Sequence, residues 1–143
     1  MPEIVVEDIG KDAVAKELGR RLREYNEQKA GSLRDSQVVL SMRDDNGEII
    51  AGLTAEIFWN AMYIEVLWVH ERCRGNGYGA QLMREAERTA LARECNVSYL
   101  TTFSFQAPAF YASLGYRRLG KLQDMPPGAS LDWLYKPLAT AGA

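Results

Sequence analysis

The segment from Ile64 to Ala90 constrains the fold of this chain more than any other part. It starts with an apolar run, passes through a basic turn with three alternating glycines, and continues with a helical pattern of apolar and charged residues. These parts predict a buried strand, a tight turn and an amphipathic helix. Such a turn directs several backbone N–H groups at one point before a helix N-terminus, a favourable position for a phosphate. The sequence therefore predicts an α/β protein with a phosphate-binding site.

Seven strands and three helices are predicted along the chain. The predicted strands are Glu3–Asp8, Ser36–Arg43, Glu48–Trp59, Met62–His70, Val97–Phe103, Tyr116–Leu122 and Leu131–Leu138. The predicted helices are Lys11–Lys29, about Gly77–Glu94, and Pro108–Leu114. The strands on either side of the second helix should be parallel neighbours, because a strand–helix–strand crossover places them so. We expect one mixed α/β domain over residues 1–138, followed by a frayed tail at 139–143.

Four glycines mark special points in the first half of the chain. The turn Asp44–Gly47 contains Asn-Gly, which accepts positive φ and is a strong hairpin signal. The strand after it is long, and Gly52 is a candidate bulge within it. Gly31 is placed to end the first helix, which Asp8 or Gly10 would start.

Composition excludes several classes of function. The net charge of -2 gives no support to a nucleic-acid partner or a polybasic membrane contact. No apolar run reaches the roughly 20 residues of a membrane span, and the acidic N-terminus lacks the pattern of a signal peptide. Cys73 and Cys95 lack metal-ligand spacing and are too few for a disulfide framework. We expect two free thiols in a cytoplasmic protein that holds no metal.

The glycine turn admits three interpretations from the residues alone. A simple strand-to-helix connection needs glycine, but not the flanking Arg72 and Arg74, which suit phosphate. A Walker loop is excluded, because no Gly-Lys-Ser or Gly-Lys-Thr follows. A dinucleotide fingerprint fits formally as Gly75-x-Gly77-x-x-Ala80, but the predicted antiparallel strands before it and the single crossover after it do not fit.

Two motifs resemble those of the GNAT (GCN5-related) N-acetyltransferase superfamily. Arg74-x-x-Gly77-x-Gly79 is similar to the family's Gln/Arg-x-x-Gly-x-Gly/Ala signature, and the segment from Ala107 to Tyr116 resembles its second signature. The order of predicted elements is also similar, so the resemblance spans nearly the whole chain. It implies the GNAT fold, a twisted, mostly antiparallel sheet of about seven strands with flanking helices and a parallel pair at the coenzyme site.

The resemblance implies acetyl-CoA as the cosubstrate. It assigns the pyrophosphate to the glycine turn, the pantetheine arm to the strand before it, and the thiol end to a tyrosine. The implied coenzyme contacts are Leu67, Trp68, Val69, Arg72, Arg74, Gly75, Asn76, Gly77, Tyr78, Gly79, Ala80 and Tyr111. Where many members carry an asparagine for the pantetheine arm, this chain has Ser104 and Gln106, and either side chain is able to bond an amide.

Tyr111 is the candidate general acid. The resemblance places its hydroxyl near the coenzyme sulfur, and a phenol with a pKa near 10 suits protonation of a leaving thiolate. The alternative is that Tyr111 and Phe110 are aromatic core beneath a short helix.

Glu65 is the candidate general base. An acid between two apolar strand residues is unusual, and strict alternation places Glu65 on one face with Tyr63, Leu67 and Val69. A carboxylate partly removed from water there would have a raised pKa, suited to accepting a proton from an amine. The alternative is a solvated residue or a structural partner of an arginine.

These features predict an N-acetyltransferase that acetylates a small-molecule amine by direct attack within a ternary complex. A protein or peptide acceptor, and a non-catalytic acyl-CoA-binding module, remain alternatives. The sequence does not identify the amine, and it leaves a homodimer open.

Overall fold

The computed structural model describes residues 1–139, so residues 140–143 of the predicted tail lie outside the described residues. Clustering of backbone contacts divides the chain into two compact units, Met1–Leu33 and the remainder from Arg34. The second unit contains the sheet and both predicted motifs.

The first unit consists of one helix, α1 (Lys11–Ala30). Gly10 and Gly31, both with positive φ, bound it as the sequence predicts. Ion pairs between residues three or four positions apart stabilise the helix on its exposed surface, for example Arg20 with Glu17 and Glu24. None of its residues is buried.

The predicted first strand, Glu3–Asp8, is wrong. Within residues 1–139 this segment makes one isolated bridge, between Asp8 and Gly10, and Ile4, Val5 and Val6 remain exposed. Apolar alternation predicts a strand only where a partner supplies the ladder of hydrogen bonds, and no described strand pairs with this segment.

The second unit is built on one six-stranded sheet. Its strands are β1 (Ser36–Arg43), β2 (Ile49–Phe58), β3 (Ala61–Val69), β4 (Val97–Phe103), β5 (Arg117–Gln123) and β6 (Ser130–Pro137), in the order β1-β2-β3-β4-β6-β5. Its helices are α2 (Tyr78–Ala92) and the short α3 (Pro108–Ser113). All ladders are antiparallel except β3–β4, which confirms the predicted mixed sheet and crossover.

The parallel ladder is short and opens at one end. Its four pairs run from Ala61 opposite Val97 to Ile64 opposite Leu100. Beyond Ile64 and Leu100 the two strands continue without pairing, so one edge of each carries backbone groups that the sheet does not use. We call this opening the strand split.

The core lies between one face of the sheet and α2. Apolar side chains from five strands form this core with the buried face of α2, and α3 packs at its margin. The central members are Leu53, Ile57, Met62, Ile64, Leu100 and Leu134 from the sheet, and Leu82, Met83, Ala86 and Ala90 from α2. This packing holds the N-terminus of α2 near the strand split.

The first hairpin follows the sequence prediction, but the role of Gly52 differs. Asp44 accepts a hydrogen bond from the N–H of Gly47, whose φ of 81° needs glycine. Gly52 pairs regularly with Ser41 and is not a bulge. A Cβ there would lie 2.9 Å from the carbonyl oxygen of Leu40, so glycine permits the close approach of β1 and β2.

The described residues also address two predictions, one about membrane-spanning segments and one about the two cysteines. No helix within the described range is long and apolar enough to cross a membrane. Cys73 and Cys95 are both free thiols, as expected. Burial raises the pKa of the Cys95 thiol.

A buried polar network joins α2 to the sheet. The hydroxyl of Tyr116 donates to Glu87 at 3.0 Å and lies 2.8 Å from the Ser98 hydroxyl, while the ammonium group of Lys136 donates to Glu87 at 2.7 Å. Burial raises the pKa of Tyr116 strongly, against the opposing effect of the Ser98 hydrogen bond. The phenol is therefore held neutral in the folded chain.

This network predicts an alkaline loss of stability. A tyrosine with a raised folded pKa contributes stability below its unfolded pKa of about 10 and loses it as pH rises through the folded value. We expect Tyr116→Phe to cost about 1–2 kcal/mol at pH 8 through the lost hydrogen bonds, and this cost to shrink above pH 10. Urea unfolding of both proteins from pH 8 to pH 11 measures it. A cost that stays constant over that range would contradict the assignment.

Candidate active site

A cavity of about 750 Å³ lies between the free end of β3, the N-terminus of α2 and α3. Most of the coenzyme contacts predicted from sequence line it. These are Leu67, Trp68, Val69, Arg74, Gly75, Gly77, Tyr78, Gly79, Ala80, Gln106 and Tyr111. Its size suits a ligand of coenzyme length that is partly open to solvent.

The glycine turn forms one end of the cavity. Gly75 and Gly77 have φ values of 83° and 79°, a conformation that side chains rarely adopt. Gly77 is the N-cap of α2, and no side chain caps the helix. The first N–H groups of α2, at Tyr78, Gly79 and Ala80, therefore remain available at the cavity wall together with the positive end of the helix dipole. This end of the cavity suits an anion.

Gly79 has a different role from the one that its position in the motif suggests. It lies inside α2 rather than in the turn, and its backbone does not need positive φ. A Cβ at this position would lie 3.2 Å from the Cζ atom of Phe110, so glycine permits α3 to pack against the start of α2. Gly79 is therefore explained by helix packing rather than by a positive φ in the turn.

Polar side chains fix the loop between β3 and α2. The Nε of Arg74 donates to the carbonyl of Val69 at 3.2 Å, and the amide of Asn76 donates to the carbonyl of Cys73 at 2.9 Å. His70 Nδ1 accepts from the N–H of Arg72 at 3.1 Å and caps the short 3-10 turn Glu71–Cys73. Asn76 therefore shapes the loop without lining the cavity.

Arg72 lies outside the cavity lining. Its guanidinium pairs with the carboxylate of Asp44 at 3.2 Å, on the β1–β2 turn. The two arginines that the sequence presents as equivalent are therefore separated, and Arg74 is the one that lines the cavity.

Tyr111, a residue of α3, also lines the cavity. Its ring meets Phe110 and Tyr116 edge to face, with centroids 5.2 Å and 6.1 Å away. Its hydroxyl makes no hydrogen bond to any residue in the described part of the chain. Burial raises the pKa of Tyr111, so the phenol keeps its proton at neutral pH.

Gln106 and Ser104 follow β4 but behave differently. Gln106 lines the cavity, and its side-chain oxygen accepts from the N–H of Phe103 at 2.8 Å and the hydroxyl of Thr102 at 3.2 Å. Ser104 is outside the lining, and its hydroxyl accepts from the N–H of Ser130 on β6. Of the two candidates for the pantetheine arm, the structure places Gln106 at the cavity.

Glu65 occupies a bulge in β3. Thr54 of β2 pairs with Val66 and Ala55 pairs with Ile64, which leaves Glu65 as the extra residue. The bulge shifts the alternation, so Leu67 and Val69 pack with the core on the side of Ile64. The expectation that Glu65 shares their face in a partly desolvated place is wrong. Its side chain is exposed and makes no hydrogen bond or ion pair with residues 1–139.

Glu65 nevertheless lies at the strand split, because it is the first residue of β3 after the last parallel pair. Four further residues line the cavity that the sequence did not single out as coenzyme contacts, namely Cys73, Phe105, Ala107 and Phe110. The exposure of Phe105 directly after β4 was the available signal, since a large apolar residue in a loop indicates a binding surface.

A mixed sheet whose one parallel ladder opens beside an uncapped helix N-terminus, with a neutral phenol in the same cavity, fits the fold of an acetyltransferase. A sequence model of the Acetyltransferase (GNAT) family matches residues 6–116. The chain belongs to this family, and it is an N-acetyltransferase by fold and relationship.

Comparisons with individual proteins agree with this assignment. The chain is 39% identical over 97 residues to blasticidin-S acetyltransferase of Streptomyces morookaense, covering 66% of this chain and 70% of that protein. The crystal structure of an acetyltransferase from Bacillus cereus ATCC 14579 is 31% identical, with a TM-score of 0.88, and the match covers 96% of this chain and 98% of that one. An aminoglycoside 6'-N-acetyltransferase complexed with coenzyme A shares the fold at 18% identity, with a TM-score of 0.65 over 73% and 74% of the two chains.

Proposed function

We propose that this enzyme transfers the acetyl group of acetyl-CoA to a primary amine of a small molecule by direct attack. The observation that carries the proposal is the cavity, which is lined both by an uncapped helix N-terminus and by Tyr111, whose phenol is neutral. The helix N-terminus suits the pyrophosphate, and the phenol suits the thioester.

The strand split supports the position of the pantetheine arm. Beyond Ile64, β3 has no partner on the side of β4, so its edge offers backbone donors and acceptors to the amides of the arm. Leu67, Trp68 and Val69 line the cavity along this edge. Gln106 faces the same space from the end of β4.

The chemistry balances without a covalent enzyme intermediate. The amine nitrogen attacks the thioester carbonyl, the C–S bond breaks, and the thiolate takes the proton of Tyr111. The bulge at Glu65 leaves a backbone N–H outside the regular β2–β3 ladder, and such a donor suits the developing oxyanion.

Glu65 is the proposed acceptor of the amine proton. Its support is its place at the strand split and its lack of a partner among residues 1–139. Because the side chain is exposed, a water between the carboxylate and the amine suits the geometry.

A small-molecule acceptor is supported by a relative. The blasticidin-S acetyltransferase to which this chain is similar is named for an antibiotic. We therefore propose an acceptor of that size rather than a protein.

Calorimetric titration with acetyl-CoA tests the donor. We expect acetyl-CoA to bind saturably at one site per chain. A shortened acetyl thioester that lacks the pyrophosphate-bearing part of the coenzyme should not bind. The absence of binding at near-millimolar acetyl-CoA would overturn the proposal.

The separation of the two arginines gives a matched pair of variants. We expect Arg74→Ala to weaken acetyl-CoA binding about tenfold, because it removes a charge-assisted contact at the cavity. Arg72→Ala should change the dissociation constant by less than about threefold, because Arg72 is held by Asp44 at the surface. Calorimetry of both variants checks the difference. Equal effects would show that the loop, rather than the side chain in the cavity, determines affinity.

A further inference from the structure

One row of side chains crosses the sheet beside the strand split. Glu56, Tyr63, Tyr99, Tyr135 and Arg117 are direct partners across the strands β2, β3, β4, β6 and β5. Directly paired residues project from the same face of a sheet. None of them belongs to the core beneath α2, so the row lies on the opposite face. We call these five residues the aromatic row.

The row reaches the point where acetyl transfer would occur. Tyr63 opposite Tyr99 is the second-to-last pair before the strands separate. The hydroxyl of Tyr63 lies 3.5 Å from the Oγ1 of Thr101, the first residue of β4 beyond the ladder. Glu65 follows two residues after Tyr63 on β3. A molecule lying on the row would therefore have one end at the strand split.

Three polar groups of the row lack partners among residues 1–139. Glu56 is half-buried, yet its carboxylate makes no hydrogen bond or ion pair with any of residues 1–139. The hydroxyls of Tyr99 and Tyr135 make no hydrogen bond to the described residues either. A half-buried carboxylate beside aromatic rings is a favourable position for a cation, which gains both the charge and the ring faces.

The charges at the two ends of the row differ in sign. Glu56 stands at one end, and the exposed guanidinium of Arg117 at the other. A cationic ligand is attracted to the Glu56 end, where the rings of Tyr63 and Tyr99 lie 5.0 Å apart. Glu56 pairs with Tyr63 on the neighbouring strand, and Glu65 follows two residues after Tyr63. The Cα atoms of Glu56 and Glu65 are therefore on the order of 8 Å apart.

We propose that the aromatic row binds the acceptor, and that this acceptor carries a second cationic group besides the amine that is acetylated. Glu56 and Tyr63 hold the second cation, and the primary amine extends about 8 Å from it to the strand split. This inference rests on the proposed function and adds the substrate class. Glu56 is then the residue that selects the amine.

Two primary amines, one with and one without a second cationic group, test this inference. Agmatine carries a primary amine and a guanidinium at its other end, whereas pentylamine carries the amine alone. We expect a kcat/KM for agmatine at least about tenfold above that for pentylamine, the factor of one charge-assisted contact.

Three variants test whether Glu56 causes the preference for agmatine over pentylamine. Glu56→Gln should lower kcat/KM for agmatine about tenfold through KM, and leave pentylamine and the KM of acetyl-CoA unchanged. Glu56→Asp, which keeps the charge, should retain most of the preference. Glu48→Gln, on the exposed β1–β2 turn, removes a carboxylate away from the row and should change neither amine.

The outcomes separate this inference from the proposed function. Equal use of both amines, or an agmatine KM that Glu56→Gln does not change, overturns the inference, as does an enzyme that acetylates other amines but neither probe. Failure to bind acetyl-CoA overturns the proposed function instead. A lower mass of Glu56→Gln in light scattering would show that the row is an interface between copies, and would also overturn the inference.

Discussion

Replacing Tyr111 by phenylalanine is expected to lower kcat about 100-fold while leaving the dissociation constant of acetyl-CoA within about twofold of wild type. The change removes the hydroxyl of Tyr111 from the cavity and keeps the ring that packs against Phe110 and Tyr116. Because burial raises the pKa of Tyr111, the wild-type enzyme should also keep its proton donor to a higher pH than an exposed tyrosine would. Steady-state kinetics and calorimetric titration of the same preparations measure the two effects.

Tyr25→Phe is the matched control for this experiment. Tyr25 is an exposed tyrosine of α1, so the same loss of a hydroxyl there should leave both constants unchanged. Equal losses of kcat and coenzyme affinity in Tyr111→Phe would show that Tyr111 is a packing residue, which is the alternative that the sequence left open.

Replacing Gly79 by valine is expected to damage coenzyme binding and stability together. The new Cβ would lie 3.2 Å from the Phe110 ring, and its methyl groups would approach more closely, so α3 or the first turn of α2 must move. We expect the free energy of unfolding of the second unit to fall by about 2 kcal/mol. We also expect the affinity for acetyl-CoA to weaken at least about tenfold. Urea unfolding and calorimetry measure these quantities.

Two further variants isolate the contact between Gly79 and Phe110. Phe110→Leu introduced into Gly79→Val should restore part of the stability, because the smaller side chain gives space to the valine. Gly19→Ala changes a helical glycine of α1 with no atom within 4 Å of the new Cβ, and should leave acetyl-CoA binding unchanged. If the double variant were no more stable than Gly79→Val, the contact would not explain the cost.

The sequence predicted the elements of the second unit well because their signals are local. Asn-Gly in the first hairpin, the glycines before α2 and the proline at the start of α3 each restrict the backbone where they stand. Strand Val97–Phe103 is found with the predicted bounds, and α2 begins at Tyr78, one residue from the predicted start. The strand at Glu3–Asp8 failed because a strand also requires a partner, which a local pattern does not reveal.

Most residues of the cavity lining could be predicted from the sequence, and the errors share a physical cause. Alternation assigned a face to Glu65, but the bulge in β3 shifts the register by one residue, and no residue type at this position signals a bulge. Arg72 and Arg74 look alike in sequence, whereas the salt bridge to Asp44 depends on the distant β1–β2 turn. Gly79 appears as a third turn glycine, although contact with Phe110 explains it. The aromatic row could not be predicted from the sequence, because it depends on how five strands pair with one another.

The most direct test of acetyl transfer is release of free coenzyme A thiol from acetyl-CoA in the presence of a panel of small amines, with mass spectrometry of the amine product. The panel should include blasticidin S, after the relative of this chain, and agmatine. We predict thiol release that depends on both enzyme and amine, matched by an acetylated amine in equal amount, and lowered about 100-fold in Tyr111→Phe. Thiol release that does not depend on the amine, or no acetylated product from an enzyme that binds acetyl-CoA, would contradict the account.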